Sequence, residues 1–228
     1  MNAASILEQY YFPDAVIHIE PLGNGLINHT FLATVNDKKY VWQQINPQVF
    51  RHPQDIAHNI QSIGSYLLQT DPDYFFIQPV PALNNTQMIE AGDGTFWRLF
   101  PFIEHTHTLD VVEEPVHAYQ AAYAFGLFAN KLSAFSPEQL KVTIPQFHDV
   151  HFRVQQLQEA IKTGNQERVI FATEALRFLE ERFHLADTCA QQSASGKWVK
   201  RVMHHDTKIS NVLFDTNNQA VCVIDLDT

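Results

Sequence analysis

Asp206, Lys208, Asn211 and Asp225 all fall within Val202–Thr228, a stretch that reads VMHHDTKISNVLFDTNNQAVCVIDLDT. Asn211 follows Asp206 by five residues, and Asp225 comes fourteen residues after that. Two short apolar runs, Asn211–Phe214 and Ala220–Asp225, flank the turn-forming Asp215-Thr216-Asn217-Asn218, so a hairpin can fold Asp225 back beside the Asp206 loop. Two carboxylates and an amide oxygen gathered this way make a hard-oxygen site suited to Mg2+. A carboxylate left free of the metal could accept a proton from an attacking hydroxyl. Lys208 would add a compact positive charge for a transferring phosphoryl group.

This arrangement resembles the catalytic core of the protein-kinase-like phosphotransferases. The loop His204-His205-Asp206-Thr207-Lys208-Ile209-Ser210-Asn211 is similar to the His-Arg-Asp catalytic loop, and Ile224-Asp225 to the strand-ending Ile-Asp of aminoglycoside and choline kinases. The Asp-Thr-Lys wording, the Val-Ile-Asp-Leu-Asp-Thr ending and the early run Gly23-Asn24-Gly25-Leu26-Ile27-Asn28-His29-Thr30 look most like the N-acetylhexosamine 1-kinase branch. The resemblance implies ATP and Mg2+ as cofactors and a small-molecule acceptor, most simply a sugar. It makes Asp206 the base and orienter of the acceptor hydroxyl, Lys208 a contact of the γ-phosphate, and Asn211 and Asp225 the metal ligands. His204 is expected to brace the loop. Gly23, Gly25 and Asn28 would belong to a phosphate-covering loop, and Phe102 and Ile103 to the hinge that offers backbone groups to adenine.

Two departures stand out. Protein kinases carry a Lys on the third strand, paired with a Glu on the next helix. The run Tyr40-Val41-Trp42-Gln43-Gln44-Ile45 has no cation, and the following helix offers His58, Asn59 and Gln61. Gln43 or Gln44 would have to supply a neutral hydrogen bond to the nucleotide. Members of this family also continue past the second metal-binding Asp, whereas this sequence ends three residues after Asp225. The competing expectations are a non-catalytic nucleotide-binding module, or a piece that needs a partner chain or self-association over Tyr119, Tyr123 and Phe125, and, as a second alternative, an aminoglycoside- or choline-type kinase.

The elements that must position these residues are legible in outline. Alternating runs at Ala15–Glu20, Thr30–Val35, Tyr40–Ile45, Thr86–Glu90 and Thr95–Phe100 predict an antiparallel sheet of five strands. Pro53 opens a helix to about Gln69 after the third strand, with Ile56, Ile60, Ile63 and Leu67 on one face. Helices are expected over Pro115–Leu132, Asp149–Lys162 and Gln166–Arg182, the last with Ile170, Leu176, Leu179 and Phe183 inward. A stop is expected at Thr163-Gly164-Asn165, a loop over Cys189–Gly196, and a further extended run at Trp198–Met203. The expected fold class is α+β, and the resemblance implies a two-lobed protein-kinase-like fold. On that resemblance residues 1–101 would form the small nucleotide-binding lobe and 102–228 part of a mainly helical large lobe.

Composition narrows the alternatives. Acidic residues outnumber basic ones 25 to 15, giving a net charge of −10 that argues against nucleic acid and anionic membranes as partners. Two cysteines suit a reducing compartment, and with no apolar run long enough to span a bilayer the expected location is cytoplasmic. The pairs His105/His107 and His148/His151 lack the frame of a zinc site. No Gly-x-Ser-x-Gly elbow supports a serine hydrolase.

Overall fold

The computed structural model describes residues 6–10, 12, 15–23, 25 and 27–228. They divide into two compact units, Met1–Ile144 with Arg201–Thr228, and Pro145–Lys200.

The first unit carries an antiparallel sheet of β1 (Ile17–Pro21), β2 (His29–Val35), β3 (Lys38–Ile45), β4 (Ile89–Glu90) and β5 (Phe96–Pro101), in the order β1-β2-β3-β5-β4. The β2–β3 hairpin closes in two residues, with Val35 opposite Lys38, so β3 begins earlier than its alternation predicts. Asn36 makes this possible by taking φ 53°, a left-handed conformation that Asn adopts more readily than most side chains. β4 is shorter than expected because Asn84 Oδ1 accepts from both the Thr86 N–H and its hydroxyl, which turns the chain before Ile89.

Side-chain alternation gives this sheet two buried faces. On one, Trp42 stacks on Trp97 at 4.9 Å and meets Tyr10 edge-on at 5.8 Å, with Ile6 and Leu7 in the same cluster. On the other, Ile45 packs with Phe50, Met88, and Ile56 and Ile60 of helix α1 (Pro53–Thr70). Ile63 and Leu67, the next positions on the same helical stripe, join a second core. There they meet Ala121, Ala124 and Phe128 of α2 (Pro115–Lys131). Helix α1 therefore links the two cores.

The second core also receives the hairpin of β7 (Val212–Asp215) and β8 (Ala220–Val223), which turns at Asp215–Asn218 as expected. Its third strand is β6 (Thr106–His107), in the order β6-β7-β8. Trp198–Met203, expected to be extended, joins no sheet; β6 holds the outer edge of β7, pairing Thr106 with Asp215.

The second unit is helical: α3 (Val150–Thr163), α4 (Gln166–Phe171), α5 (Thr173–Glu180) and α6 (His184–Ala194). Asp149 caps α3 by accepting from the Phe152 N–H, and Gly164 ends it. The single helix expected over Gln166–Arg182 is interrupted at Ala172, where the Thr173 hydroxyl donates to the Ile170 carbonyl and competes with the backbone ladder. Ile170 and Leu179, expected inward, are 72% and 43% exposed. The loop expected from Cys189 is helical through Ala194, since its Ala and Gln residues favour helix and no glycine intervenes before Gly196. Among the described residues no helix is long and apolar enough to cross a membrane.

Candidate active site

The β7–β8 hairpin is the platform of the site. Immediately before β7 a 3-10 turn, Ile209–Asn211, buries Asn211 and aims its amide back at the preceding loop. Asn211 Nδ2 donates to the Asp206 carbonyl at 2.9 Å and to Asp206 Oδ2 at 3.0 Å. Lys208 Nζ donates to the same Oδ2 at 2.7 Å. His204 is buried under this loop; its Nδ1 accepts from the Asp206 N–H at 3.3 Å and its Nε2 donates to the Ile224 carbonyl at 2.8 Å. The Ile224 N–H in turn donates to the Asn211 carbonyl at 2.9 Å. The residue after this doubly anchored Ile224 is Asp225, with φ 64°. The structure thus brings Asp206, Lys208, Asn211 and Asp225 together.

The two carboxylates are tuned in opposite directions. Partial burial raises the Asp206 carboxyl, but the Lys208 hydrogen bond and charge and the Asn211 amide together outweigh it, and the net shift is downward. The Asp225 carboxyl is pushed up, first by desolvation and then by the Asp227 charge, with Arg98 and Lys208 opposing and Asp206 adding the smallest push. Asp225 is nonetheless exposed as a residue, and solvent screening tempers this shift.

Beside this pair lies a network that reading β3 alone did not reveal. Gln43 of β3 and Arg98 of β5 are cross-strand partners, so beside the cation-free run Tyr40–Ile45 a cation lies on the neighbouring strand at the same level of the sheet. Arg98 forks onto Asp227, Nη1 to Oδ1 at 2.6 Å and Nη2 to Oδ2 at 2.9 Å, and both side chains are 2% exposed. Gln43 Oε1 accepts from Arg98 Nε and Nη2, while its Nε2 donates to the Thr30 hydroxyl. Asn28 Nδ2 donates to Asp227 Oδ2 at 2.8 Å, and its Oδ1 accepts from the Asn46 N–H. The available signal was a single arginine in the otherwise apolar strand Phe96–Pro101, and an acid two residues beyond Asp225.

The remaining expected residues are spread around the sheet. Gly23 takes φ 70°, which an L side chain would resist, while Asn24 and Leu26 lie outside the described residues. Gly25 sits where a Cβ would come within 3.1 Å of the Asn28 carbonyl. Gln44 alternates to the face opposite Gln43 and lines a cavity of about 330 Å³ with His29, Asn46 and Thr95. After β5, the Phe102 N–H donates to the Lys39 carbonyl and the Ile103 carbonyl accepts from the Thr106 hydroxyl. The polar residues of α1 point elsewhere: His58 bonds the Gln139 carbonyl, and Asn59 both donates to and accepts from the Lys141 backbone.

The chain belongs to the phosphotransferase enzyme family, whose model matches residues 18–228. Among solved structures it is similar to a spectinomycin phosphotransferase in complex with ADP and spectinomycin, with TM-score 0.67 and 16% identity over 98% of this chain and 67% of that one. An aminoglycoside phosphotransferase from Alicyclobacillus acidocaldarius gives TM-score 0.61 at 16% identity, covering 100% of this chain and 66% of that one. A microcompartment-associated aminopropanol kinase gives 0.60 at 19% identity, covering 99% and 68%. At these identities the likeness is one of fold, and it bears out the α+β protein-kinase-like architecture. The chain spans about two thirds of the length of these structures.

Proposed function

We propose that this protein is an ATP-dependent phosphotransferase that moves the γ-phosphate to a hydroxyl group of a small molecule. The observation that carries the reading is the Asp206 carboxylate, held by Lys208 and Asn211 beside Asp225. Both hydrogen bonds fall on Oδ2, so Oδ1 is the atom that orients the acceptor hydroxyl and takes its proton late in the transfer. Lys208 brings its charge to the γ-phosphate from the same loop. Asn211 and Asp225 are the residues that would hold Mg2+. The fit rests on their chemistry: an amide whose nitrogen is turned to Asp206, leaving its oxygen as the donor, and a carboxylate whose negative charge is disfavoured until a cation arrives. When bound, Mg2+ would supply positive charge that offsets the phosphate charge of the nucleotide.

Gly23 and Gly25 would lie over the phosphates, and Phe102 and Ile103 would read adenine through the backbone groups that Lys39 and Thr106 leave to them. Asn28 and Gln43 serve the site through Asp227 and Arg98, and Gln44 on the opposite face takes no part. The Asp-Thr-Lys and Val-Ile-Asp-Leu-Asp-Thr wording supports a sugar acceptor, with phosphate placed on the anomeric hydroxyl of an N-acetylhexosamine. Spectinomycin and aminopropanol, named for the similar structures, are the natural comparison acceptors.

A transfer assay with Mg-ATP across N-acetylhexosamines, spectinomycin and aminopropanol tests both levels. Transfer to the sugar is expected, and Asp206→Asn should lower kcat by at least about 10²-fold with ATP affinity retained. Unchanged turnover in that variant rejects the mechanism, and turnover of only the other acceptors rejects the sugar.

A further inference from the structure

The short arch that carries Asp225 is anchored on both sides, and the two anchors differ in kind. Before it, Ile224 is bonded to Asn211 and His204, both of the catalytic loop. After it, Leu226 packs with the cluster of Ile45, Phe50, Ile56 and Phe100, and Asp227 is gripped by Arg98 and Asn28. Asn28 ends the segment that follows Gly23 and Gly25, and its other amide atom holds the Asn46 N–H just past β3. Gln43, itself held by the Thr30 hydroxyl, fixes the second side of the Arg98 guanidinium. One buried ion pair thus ties β2, β3, β5 and the glycine-bearing segment to the residue two positions beyond Asp225.

Arg98 does not stand in, as a phosphate ligand, for the lysine that the run Tyr40–Ile45 lacks. Its Nε, both Nη2 hydrogens and one Nη1 hydrogen are engaged inside the protein, and the side chain is 2% exposed. The geometry points to Arg98 and Asp227 as positioning residues, a buried strap that sets the Asp225 arch against the nucleotide loop in place of a lysine–glutamate pair. A guanidinium suits this role because its planar fork fixes the direction of the carboxylate as well as its distance. The inference rests on the phosphotransferase reading, since it assigns what the strap holds in place.

The test is calorimetric titration of ATP with and without Mg2+, which isolates the magnesium-dependent gain in nucleotide affinity. Removing one partner alone would strand a buried charge, so the informative variant is the apolar pair Arg98→Met with Asp227→Leu, an exchange that buried ion pairs often tolerate. In the wild type, ATP affinity should rise with Mg2+. In the double variant, checked for a cooperative thermal transition, metal-free ATP affinity should stay within about twofold while at least about tenfold of the magnesium-dependent gain is lost. Arg98→Lys keeps the charge but not the fork and should lose an intermediate part, which keeps the question answerable if the double variant does not fold. A wild-type magnesium-dependent gain in either folded variant overturns the strap. Absence of ATP binding by the wild type itself overturns the phosphotransferase reading, a different result seen in a different protein.

Discussion

Asp206 and Asp225 lie in one site but have opposite protonation tendencies, which separates their roles. Asp206 has a folded pKa below its unfolded value, so the stability it contributes is present above the unfolded value and is lost as pH falls through the folded one. It therefore remains an ionised base under neutral and mildly acidic conditions. Lys208→Met should move the Asp206 carboxyl upward in a carbon-13 NMR titration, because the Lys208 bond and charge are the main downward contributions. Asp225 runs the other way: its folded pKa exceeds the unfolded value, so its contribution to stability falls as pH rises through that interval. Asp225→Asn should consequently raise the thermal midpoint at pH 7 by roughly 1–2 °C, a modest figure because the residue is exposed and solvent screens it. The rise should vanish at a pH where both forms are neutral. Asn also tolerates the φ of 64° at this position, so the comparison is free of backbone strain. The same substitution should remove the magnesium-dependent gain in ATP affinity.

At the level of elements, α1 has a double role that its apolar stripe shows only in half. Ile56, Ile60, Ile63 and Leu67 were readable as a buried face because the 3.6-residue period is a local property of the chain. The reciprocal bonds between Asn59 and the Lys141 backbone were not, because the partner lies 82 residues away. Asn59→Ala should lower stability by about 1–2 kcal/mol, seen as a drop of roughly 3–6 °C in a thermal melt. Gly23→Ala should cost about 1 kcal/mol from its left-handed φ alone, since nothing lies within 4 Å of the added carbon. The same change should weaken ATP binding if the segment covers phosphates. The break between α4 and α5 and the helical run at 189–194 escaped the pattern for a shared reason. Thr hydroxyl competition with the ladder and the helix propensity of Ala and Gln are small local terms, and periodicity does not register them.

Across the whole molecule, packing is concentrated in one unit. Trp42, Ile45, Phe50, Phe128 and Phe214 are essentially buried in the first, whereas Ala186 is the one buried residue among 145–200 and Phe171 is 94% exposed. Amide hydrogen exchange should therefore be at least about 10²-fold slower in β2, β3 and β5 than in α4 and α5, and comparable rates would contradict the packing seen. Tyr119 and Tyr123, stacked on one another, are 65% and 54% exposed on α2. The five strands of the first sheet, the helix inserted after the third of them, and the cluster of Asp206, Lys208, Asn211 and Asp225 followed from the amino-acid sequence alone. Alternation, helical period, turn residues and short spacings are all written within a few residues of one another. The partner of Arg98 was decided only by the tertiary structure, because a bond between residues 129 apart leaves no periodic trace at either end. Its cause is burial: once β5 closes against β3, a guanidinium beneath the sheet requires a carboxylate, and the chain supplies it two residues beyond Asp225.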